Sequence, residues 1–190
     1  MNKDTPLVPI TTETHDTLTF LAYATDKNIT GKKIYDRPLC LLHKDAASRL
    51  SRVIDTITPL GLKVKIWDAY RPMAAQRQLF AHTPNPSYVS DPETGVNSHC
   101  RGIALDLTLI DKYGNELPMG TSFDDFRPLA HHGNSQISAE AQRNRLLLAG
   151  VMAIAGFEPV DSEWWHYQLP DVYNYPVINE AKAQTGIIKM

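Results

Sequence analysis

The sequence predicts an α+β protein in which a mostly antiparallel central sheet is flanked by helices. Two stretches carry apolar residues at helical spacing, and two others alternate between apolar and polar side chains with the period of a strand. These segments do not follow the regular strand and helix alternation that builds parallel sheets. Because 190 residues suffice for one well-buried core and are few for two, we expect a single domain over residues 1–190.

The first half of the chain predicts a helix, a strand and a second, short helix. The first helix begins near His43, with Asp45 as the expected N-cap, and ends at the breakers of residues 59–61. Residues 62–67 alternate between apolar and polar side chains, which predicts a strand. We expect the short helix over residues 73–81.

The second half predicts a long loop and further strands. Residues 83–98 are rich in proline, and loops of this length in compact domains are often functional. Residues 103–109 alternate strictly, so that one face of the predicted strand is apolar and the other carries Asp106. Residues 118–137 are irregular, and the aromatic residues of 157–169 indicate a strand near the end of the chain.

A long helix is expected between the last two of these segments. It begins at the N-cap Ser138 and ends at Gly156. The residues predicted to face the core are Leu146, Leu147, Val151, Ile154 and Ala155.

Composition and charge argue against two classes of partner. The formal net charge is -2 and no basic block could gather phosphates, so we expect no nucleic-acid partner. No apolar run approaches the roughly 18 to 20 residues of a membrane helix, so we expect no membrane insertion. The start of the chain lacks the apolar segment of a secretory signal, and the two cysteines, Cys40 and Cys100, fit a reducing compartment. We therefore expect a cytoplasmic protein.

The seven histidines are the unusual feature of the composition. Three have polar neighbours without an acidic or aromatic cluster, as is typical of surface or capping residues. These are His15, His43 and His82. The tandem His131-His132 could bind a metal, but neighbouring side chains of an extended chain point apart. His99 and His166 remain as candidates for chemistry.

His99 and Asp106 could together hold a metal ion. They are seven residues apart, and in a straight strand this odd offset would put their side chains on opposite faces. A bend at Arg101-Gly102 could instead bring His99 over the face of Asp106, where the small Ala104 leaves room for zinc. The same residues would also suit a buried aspartate that is hydrogen-bonded to a structural histidine.

Glu163 and His166 supply the remaining groups of a possible zinc site. They flank two tryptophans, and a glutamate held against two indoles should have a raised pKa. Such a carboxyl can take a proton from a zinc-bound water and pass it to a leaving amine. Catalytic zinc sites use three protein ligands, for which His99, Asp106 and His166 are available. Glu163 would then be the base, and we expect it in the turn just before a strand that carries His166.

Eight segments of the chain form a characteristic set. They are Tyr23-Ala24-Thr25, Asn28-Ile29-Thr30-Gly31, Asp68-Ala69-Tyr70-Arg71-Pro72, His99 to Leu109, Met119-Gly120, Phe123-Asp124, Gln142-Arg143-Asn144-Arg145 and Glu163-Trp164-Trp165-His166-Tyr167. Together, in this order, they resemble the VanX-type D-alanyl-D-alanine dipeptidases, which belong to the zinc D-Ala-D-Ala peptidases. The resemblance covers nearly the whole chain.

This resemblance implies a hedgehog/DD-peptidase-like fold and the hydrolysis of a small dipeptide, D-alanyl-D-alanine. It also implies one Zn²⁺ per chain on His99, Asp106 and His166, with Glu163 as general base and then general acid. Arg71 matches an arginine that stabilises the oxyanion of the tetrahedral intermediate, although a salt bridge or a turn contact would also explain it.

The resemblance further assigns residues to the substrate. Tyr23, Tyr35 and Asp124 match positions that line the family's small pocket, with Asp124 as the candidate partner of the substrate ammonium. The family usually has serine two positions before the zinc histidine. Here that position is Asn97 and Ser98 follows, so either residue could donate to the substrate carboxylate.

Two other functions stay open. A D,D-carboxypeptidase acting on cell-wall peptides would use the same chemistry, but it would need an open groove and usually export. A zinc-containing binding module on the same fold would hold the metal structurally, and it would not need Glu163, Arg71 or the pocket tyrosines. Cys100, directly after His99, could reach a metal, but we expect a compact buried residue there.

Overall fold

The computed structural model describes residues 1–189, which form an α+β structure. The strands are β1 (Leu7–Pro9), β2 (Leu18–Thr19), β3 (Leu41–His43), β4 (Leu62–Asp68), β5 (Ala104–Asp111), β6 (Glu158–Val160) and β7 (Glu163–Gln168). The helices are α1 (Thr12–His15), α2 (Lys44–Ile57), α3 (Met73–His82), α4 (Ala139–Ala155) and α5 (Glu180–Ala183). Within the described residues, none of the helices has the length and apolar character needed to cross a membrane.

The main sheet has five strands in the order β2-β4-β5-β7-β6. The pairs β4–β5, β5–β7 and β6–β7 are antiparallel, whereas the edge strand β2 runs parallel to β4. The sheet is therefore mixed, and the prediction of a mostly antiparallel sheet is corrected. No pattern in the sequence indicated β2, because a strand of two residues is too short to show a period. A separate two-stranded sheet pairs β1 with β3.

The central strand β5 is buried on both faces. Its alternation predicted one apolar face and one face that carries Asp106, and every residue from Ala104 to Ile110, on both faces, is buried. Asp106 therefore lies inside the protein, where an ionised carboxylate is costly unless it is paired.

Helix α2 confirms the predicted segment but begins with a different cap. His43 is the N-cap, and its Nδ1 accepts the backbone N–H of Asp45 at 3.2 Å. Asp45 instead lies in the first turn, where a carboxylate interacts favourably with the helix dipole. A short 3-10 turn over Thr58–Leu60 and the left-handed Gly61 end the helix, at the predicted breakers.

Helix α4 begins and ends as predicted, and Val151 and Ala155 are buried as predicted, but the rest of its buried face differs. Ser138 Oγ accepts the N–H of Ala141, and Gly156 ends the helix in the left-handed conformation. Leu146 and Ile154, both predicted to be buried, are 72% and 66% exposed. The most deeply buried row is Ala141, Arg145, Leu148, Met152 and Ala155. The spacing of this row is helical, but one of its members is an arginine. A pattern of apolar residues alone therefore indicates a neighbouring face of the helix.

Candidate active site

Three polar side chains form a row across the centre of the main sheet. Asp68 ends β4 and pairs with Asp106 of β5, which in turn pairs with His166 of β7. Residues directly opposite each other on antiparallel strands point to the same face. The register therefore brings two acids and one histidine together, and all three are buried.

A tight turn before β5 adds His99 to this row. Residues His99–Arg101 form one 3-10 turn, and Gly102 follows with φ +71°, a left-handed conformation that favours glycine. A Cβ at Gly102 would lie 2.7 Å from the Cδ2 atom of Leu7 and 3.1 Å from the backbone nitrogen of His43, so a side chain would be crowded there as well. The predicted bend is confirmed, and it places His99 Nε2 3.3 Å from Asp106 Oδ2.

His99, Asp106 and His166 converge on one point. His99 Nε2 lies 3.2 Å from His166 Nδ1, which lies 3.0 Å from Asp106 Oδ1. One potential ligand atom from each residue falls within 4.8 Å of the others. The structure thus brings together the three residues that the sequence suggested as metal ligands.

The hydrogen bonds on the far side of each ring test whether this cluster suits a cation. His99 Nδ1 is 2.7 Å from the carbonyl oxygen of Ala69, so it carries the proton and donates. His166 Nε2 is 3.3 Å from Gln168 Oε1, a partner to which the Nε2–H tautomer would donate. With these tautomers, two imidazole lone pairs and a carboxylate face one another. The ligands of a tetrahedral zinc ion lie about 3.3 Å apart, so both the donor set and its spacing fit a divalent cation.

The charged groups of the cluster shift one another's pKa values. Burial opposes ionisation of Asp106, but His99 and His166 outweigh this effect and hold the pKa of Asp106 below its ordinary value. Burial also opposes the charged form of His166, but in that form the ring can donate to the Asp106 carboxylate, which raises the pKa of His166. Asp106 is therefore a carboxylate at neutral pH.

Glu163 lies beside the cluster as the first residue of β7, not in the preceding turn as expected. Its Oε2 is 3.9 Å from His166 Nδ1. Where β6 pairs with β7, Pro159 lies opposite Tyr167, and the next residue, Val160, lies opposite Glu163. β7 therefore has extra residues between these two pairs, and its side chains do not alternate strictly between the two faces there. This irregularity lets Glu163 and His166, three positions apart, approach each other. Burial raises the pKa of Glu163 to about 7, as its tryptophan neighbours predicted.

Arg71 is held rigidly next to the cluster. Its Nε and Nη2 lie 2.9 and 2.8 Å from Asp68 Oδ2, and its Nη1 donates to Gln76 Oε1 at 2.8 Å. Nη2 is also 3.8 Å from Asp106 Oδ2. Although burial disfavours the charge, Asp68 raises the pKa of Arg71 well above its usual value. The guanidinium is a fixed, permanently charged donor.

Sequence reasoning gave no role to Asp68 or Gln76, which hold Arg71. Asp68 is fully buried, and its second oxygen accepts the hydroxyl of Tyr35 at 2.8 Å. The available signal was an acid at the end of a buried strand, three residues before an arginine. Tyr35 was predicted to line the substrate pocket, but its hydroxyl reaches Asp68 instead, and it lies outside the lining of the cavity.

A cavity of about 220 Å³ opens onto the cluster. Besides Arg71 and Glu163, it is lined by Tyr23 and Asp124. The Tyr23 hydroxyl donates to the Asp124 carboxylate at 3.2 Å. Burial, reinforced by the charge of Asp106, raises the pKa of Asp124 well above its ordinary value. A cationic partner would stabilise the ionised form of such a buried carboxyl.

Two neighbours of His99 also line the cavity. The side-chain amide of Asn97 donates to the carbonyl oxygens of Asp91 and Gly95 at 2.9 and 3.0 Å, whereas Ser98 Oγ has only a 3.5 Å contact with His166. Cys100 is buried outside the cluster, and burial raises its thiol pKa to about 12.

Comparison with known proteins places the chain in a family. The family model described as D-ala-D-ala dipeptidase matches residues 3–183. The chain belongs to this family. D-ala-D-ala dipeptidases are metallopeptidases, in keeping with a cluster whose donor atoms suit a metal ion.

Curated members of the D-ala-D-ala dipeptidase family are similar over most of the chain. The D-alanyl-D-alanine dipeptidase of Escherichia coli K12 is 44% identical over 178 residues, which cover 94% of this chain and 92% of the relative. The protein of the same name from Enterococcus faecium is 32% identical, covering 78% of this chain and 84% of that protein. The one from Streptomyces coelicolor is 31% identical, covering 82% and 90%.

Proposed function

We propose that this protein is a zinc-dependent dipeptidase that hydrolyses D-alanyl-D-alanine and close D,D-dipeptides. The observation that carries the proposal is the convergence of ligand atoms from His99, Asp106 and His166 beside Glu163, whose pKa burial raises to about 7. We further propose that residues 1–190 form one domain with a hedgehog/DD-peptidase-like fold, with one zinc ion per chain.

His99, Asp106 and His166 are the proposed zinc ligands, through His99 Nε2, a carboxylate oxygen and His166 Nδ1. Zinc bound there would supply Lewis-acid chemistry, which eases deprotonation of a water molecule and polarises the peptide carbonyl. The bonds to Ala69 and Gln168 keep both imidazoles in the tautomer and orientation that ligation requires.

Glu163 is the proposed proton carrier. Its carboxylate takes a proton from the attacking water and delivers it to the amine that leaves when the peptide bond breaks. A pKa near 7 suits both steps, because the group is basic enough to accept the proton and acidic enough to release it.

Arg71 is the proposed donor to the oxygen that becomes negatively charged when water attacks the carbonyl. Asp68 and Gln76 fix the guanidinium before the reaction, so little reorganisation is needed as charge develops. Tyr35 supports this arrangement by donating to Asp68, and we assign it to that role rather than to substrate contact.

The two charged ends of a dipeptide have candidate partners in the cavity. Asp124, held by Tyr23, would bind the ammonium group. Ser98 is the better donor for the substrate carboxylate, because the amide hydrogens of Asn97 are already engaged by loop carbonyls. A cavity of about 220 Å³ with an acid for a free amino terminus favours a dipeptide over a long cell-wall peptide. We propose a small dipeptide as the partner, with neither nucleic acid nor membrane involved. The two free, buried cysteines favour a cytoplasmic location.

The test of this function is a substrate panel on the zinc-loaded protein. We expect rapid release of D-alanine from D-Ala-D-Ala, with kcat/KM at least about 100-fold lower for L-Ala-L-Ala and for a pentapeptide ending in D-Ala-D-Ala. Equal rates on both dipeptides would refute the D,D assignment. Faster cleavage of the pentapeptide would favour the carboxypeptidase, and bound zinc without hydrolysis would favour a binding module.

The raised pKa of Glu163 predicts an acid limb in the pH profile. The base must be ionised, so kcat/KM should fall about tenfold per pH unit below its pKa. Because burial raises the pKa of Glu163, kcat/KM should begin to fall at a higher pH than an ordinary glutamate would give. A bound cation favours the ionised carboxylate, so the break in the profile should lie at or below about pH 7. The measurement is kcat/KM between about pH 4.5 and 8.5, with zinc content followed at each pH. A level profile across this range at constant zinc would contradict the role of Glu163.

Replacing Arg71 with lysine should slow the chemical step. Lysine keeps the charge but cannot reach Asp68, Gln76 and the substrate oxygen in one fixed geometry, so we expect kcat to fall about 100-fold with zinc content unchanged. Arg77→Lys is the matched control, because Arg77 is exposed on α3 and pairs with Glu93 outside the site. Equal kcat values for the two variants would remove Arg71 from the mechanism.

A further inference from the structure

Arg145 on α4 is a buried cation that contacts backbone carbonyls instead of acids. It is 5% exposed, and among residues 1–189 no carboxylate lies within salt-bridge distance of it. Its Nε donates to the carbonyl oxygen of Met119 at 2.7 Å, and its Nη1 donates to those of Leu129 and His131 at 2.9 and 3.1 Å. One guanidinium thus holds both ends of residues 119–131, which we call the Asp124 segment.

The middle of the Asp124 segment has little backbone support of its own. In the described part of the chain, no backbone–backbone hydrogen bond involves residues 118–126. Asp124 itself has φ +59°, a left-handed conformation that aspartate adopts more readily than most residues with a side chain. The Phe123 ring stacks on Trp67 at 5.0 Å, which fixes a side chain, whereas Arg145 holds backbone carbonyls at both ends and Asn144 holds the neighbouring Pro118 carbonyl at 2.8 Å.

Arg145 also contacts the strand that carries Glu163. Its guanidinium carbon lies 5.6 Å from the ring centre of Trp164, the residue after Glu163. The Trp164 indole N–H donates to Thr121 Oγ1 at 2.8 Å, and Arg145 Nη2 lies 3.4 Å from the same oxygen. The guanidinium therefore joins the Asp124 segment to the start of β7.

We propose that Arg145 is a positioning residue that sets the separation between Asp124 and the His99–Asp106–His166 cluster, and so the length of peptide that the site accepts. This inference rests on the proposed function, in which Asp124 binds the ammonium group of a dipeptide. A dipeptide can place its ammonium on Asp124 and its peptide bond at the cluster only if the distance between them is fixed. Without the Arg145 contacts, the distance between Asp124 and the cluster should be less fixed, so the site should discriminate less between dipeptides and longer peptides. The metal ligands lie on β5, on β7 and in the turn before β5, and they should stay in place.

The test compares Arg145→Lys with Arg143→Lys, a control at an exposed position two residues away on the same helix. For Arg145→Lys we expect about one zinc per chain, a KM for D-Ala-D-Ala raised about tenfold and kcat within about threefold of the parent. The preference for D-Ala-D-Ala over D-Ala-D-Ala-D-Ala should shrink about tenfold. Arg145→Gln, which is neutral but keeps two donors, should behave in the same way if the lysine variant does not fold.

A double-mutant cycle separates positioning from general destabilisation. In an Asp124→Asn background, Arg145→Lys should change kcat/KM less than about twofold, because the group through which it acts is already lost. Equal losses in both backgrounds, or an Arg145→Lys variant that matches Arg143→Lys in KM and peptide preference, would overturn the proposal.

Hydrogen exchange gives a readout that does not depend on activity. Arg145→Lys should speed exchange of the Ala130 and His131 amides, which donate to the carbonyls of Arg127 and Pro128 beside the carbonyls that Arg145 holds, and should leave β4 and β5 unchanged. Unchanged exchange of the Ala130 and His131 amides would overturn the restraint itself. If the parent protein fails to hydrolyse any D,D-dipeptide, the proposed function fails, while the exchange experiment still decides whether Arg145 restrains the Asp124 segment.

Discussion

The Glu163→Gln variant should keep its zinc and lose hydrolysis of D-Ala-D-Ala, with kcat reduced about 1,000-fold or more. Glutamine has the same shape as glutamate, but its amide cannot accept the proton of the attacking water. Glu163 Oε2 lies 3.9 Å from His166 Nδ1, beside the proposed ligands and not among them, so metal binding should survive. The measurements are zinc per chain and D-alanine release under saturating substrate.

Glu158→Gln is the matched control for this variant. Glu158 is exposed on β6, the neighbouring strand, and the same substitution there should leave kcat within about twofold of the parent. Substantial turnover by zinc-loaded Glu163→Gln would show that another group carries the proton.

The Asp106→Asn variant should lose both zinc and activity. An amide oxygen is a much weaker ligand for zinc than a carboxylate, and the two imidazoles alone cannot complete the site. After dialysis against a weak chelator, we expect less than about 0.2 zinc per chain and hydrolysis reduced about 1,000-fold. The fold should persist, because asparagine has nearly the same volume and removes a buried charge.

Asp111→Asn provides the control on the same strand. Asp111 ends β5 and accepts hydrogen bonds within the adjacent turn, away from the cluster, so this variant should retain zinc and activity. Full zinc content in Asp106→Asn would exclude Asp106 as a ligand. Retained zinc in both variants together with full hydrolysis would move the metal site elsewhere.

The sequence predicted the long elements well because they have clear periods. The segments of α2, β4, α3, β5 and α4 are all present at nearly the expected limits. The short strands β1, β2 and β3 have two or three residues each, too few for a periodic pattern, and β2 is the strand that makes the sheet mixed. The buried face of α4 was misassigned because Arg145 occupies it, and only the acceptors on the Asp124 segment explain an arginine there.

The site was predictable where a local pattern carried it. The offset between His99 and Asp106 required a bend, and Gly102 was the residue able to supply it. The approach of Asp106 to His166 depends on strand register, which no local pattern specifies. For the same reason, the sequence did not reveal that Asp68 lies in the same row and holds Arg71.

The most direct test of the central claim is a zinc titration of chelator-stripped protein, followed by the release of D-alanine from D-Ala-D-Ala. We predict no hydrolysis without metal, a linear rise in rate as zinc is added, and a break at about one zinc per chain, as expected for a single three-ligand site. Hydrolysis at full rate by the metal-free protein, or no hydrolysis at any zinc concentration, would contradict a zinc dipeptidase built on His99, Asp106 and His166.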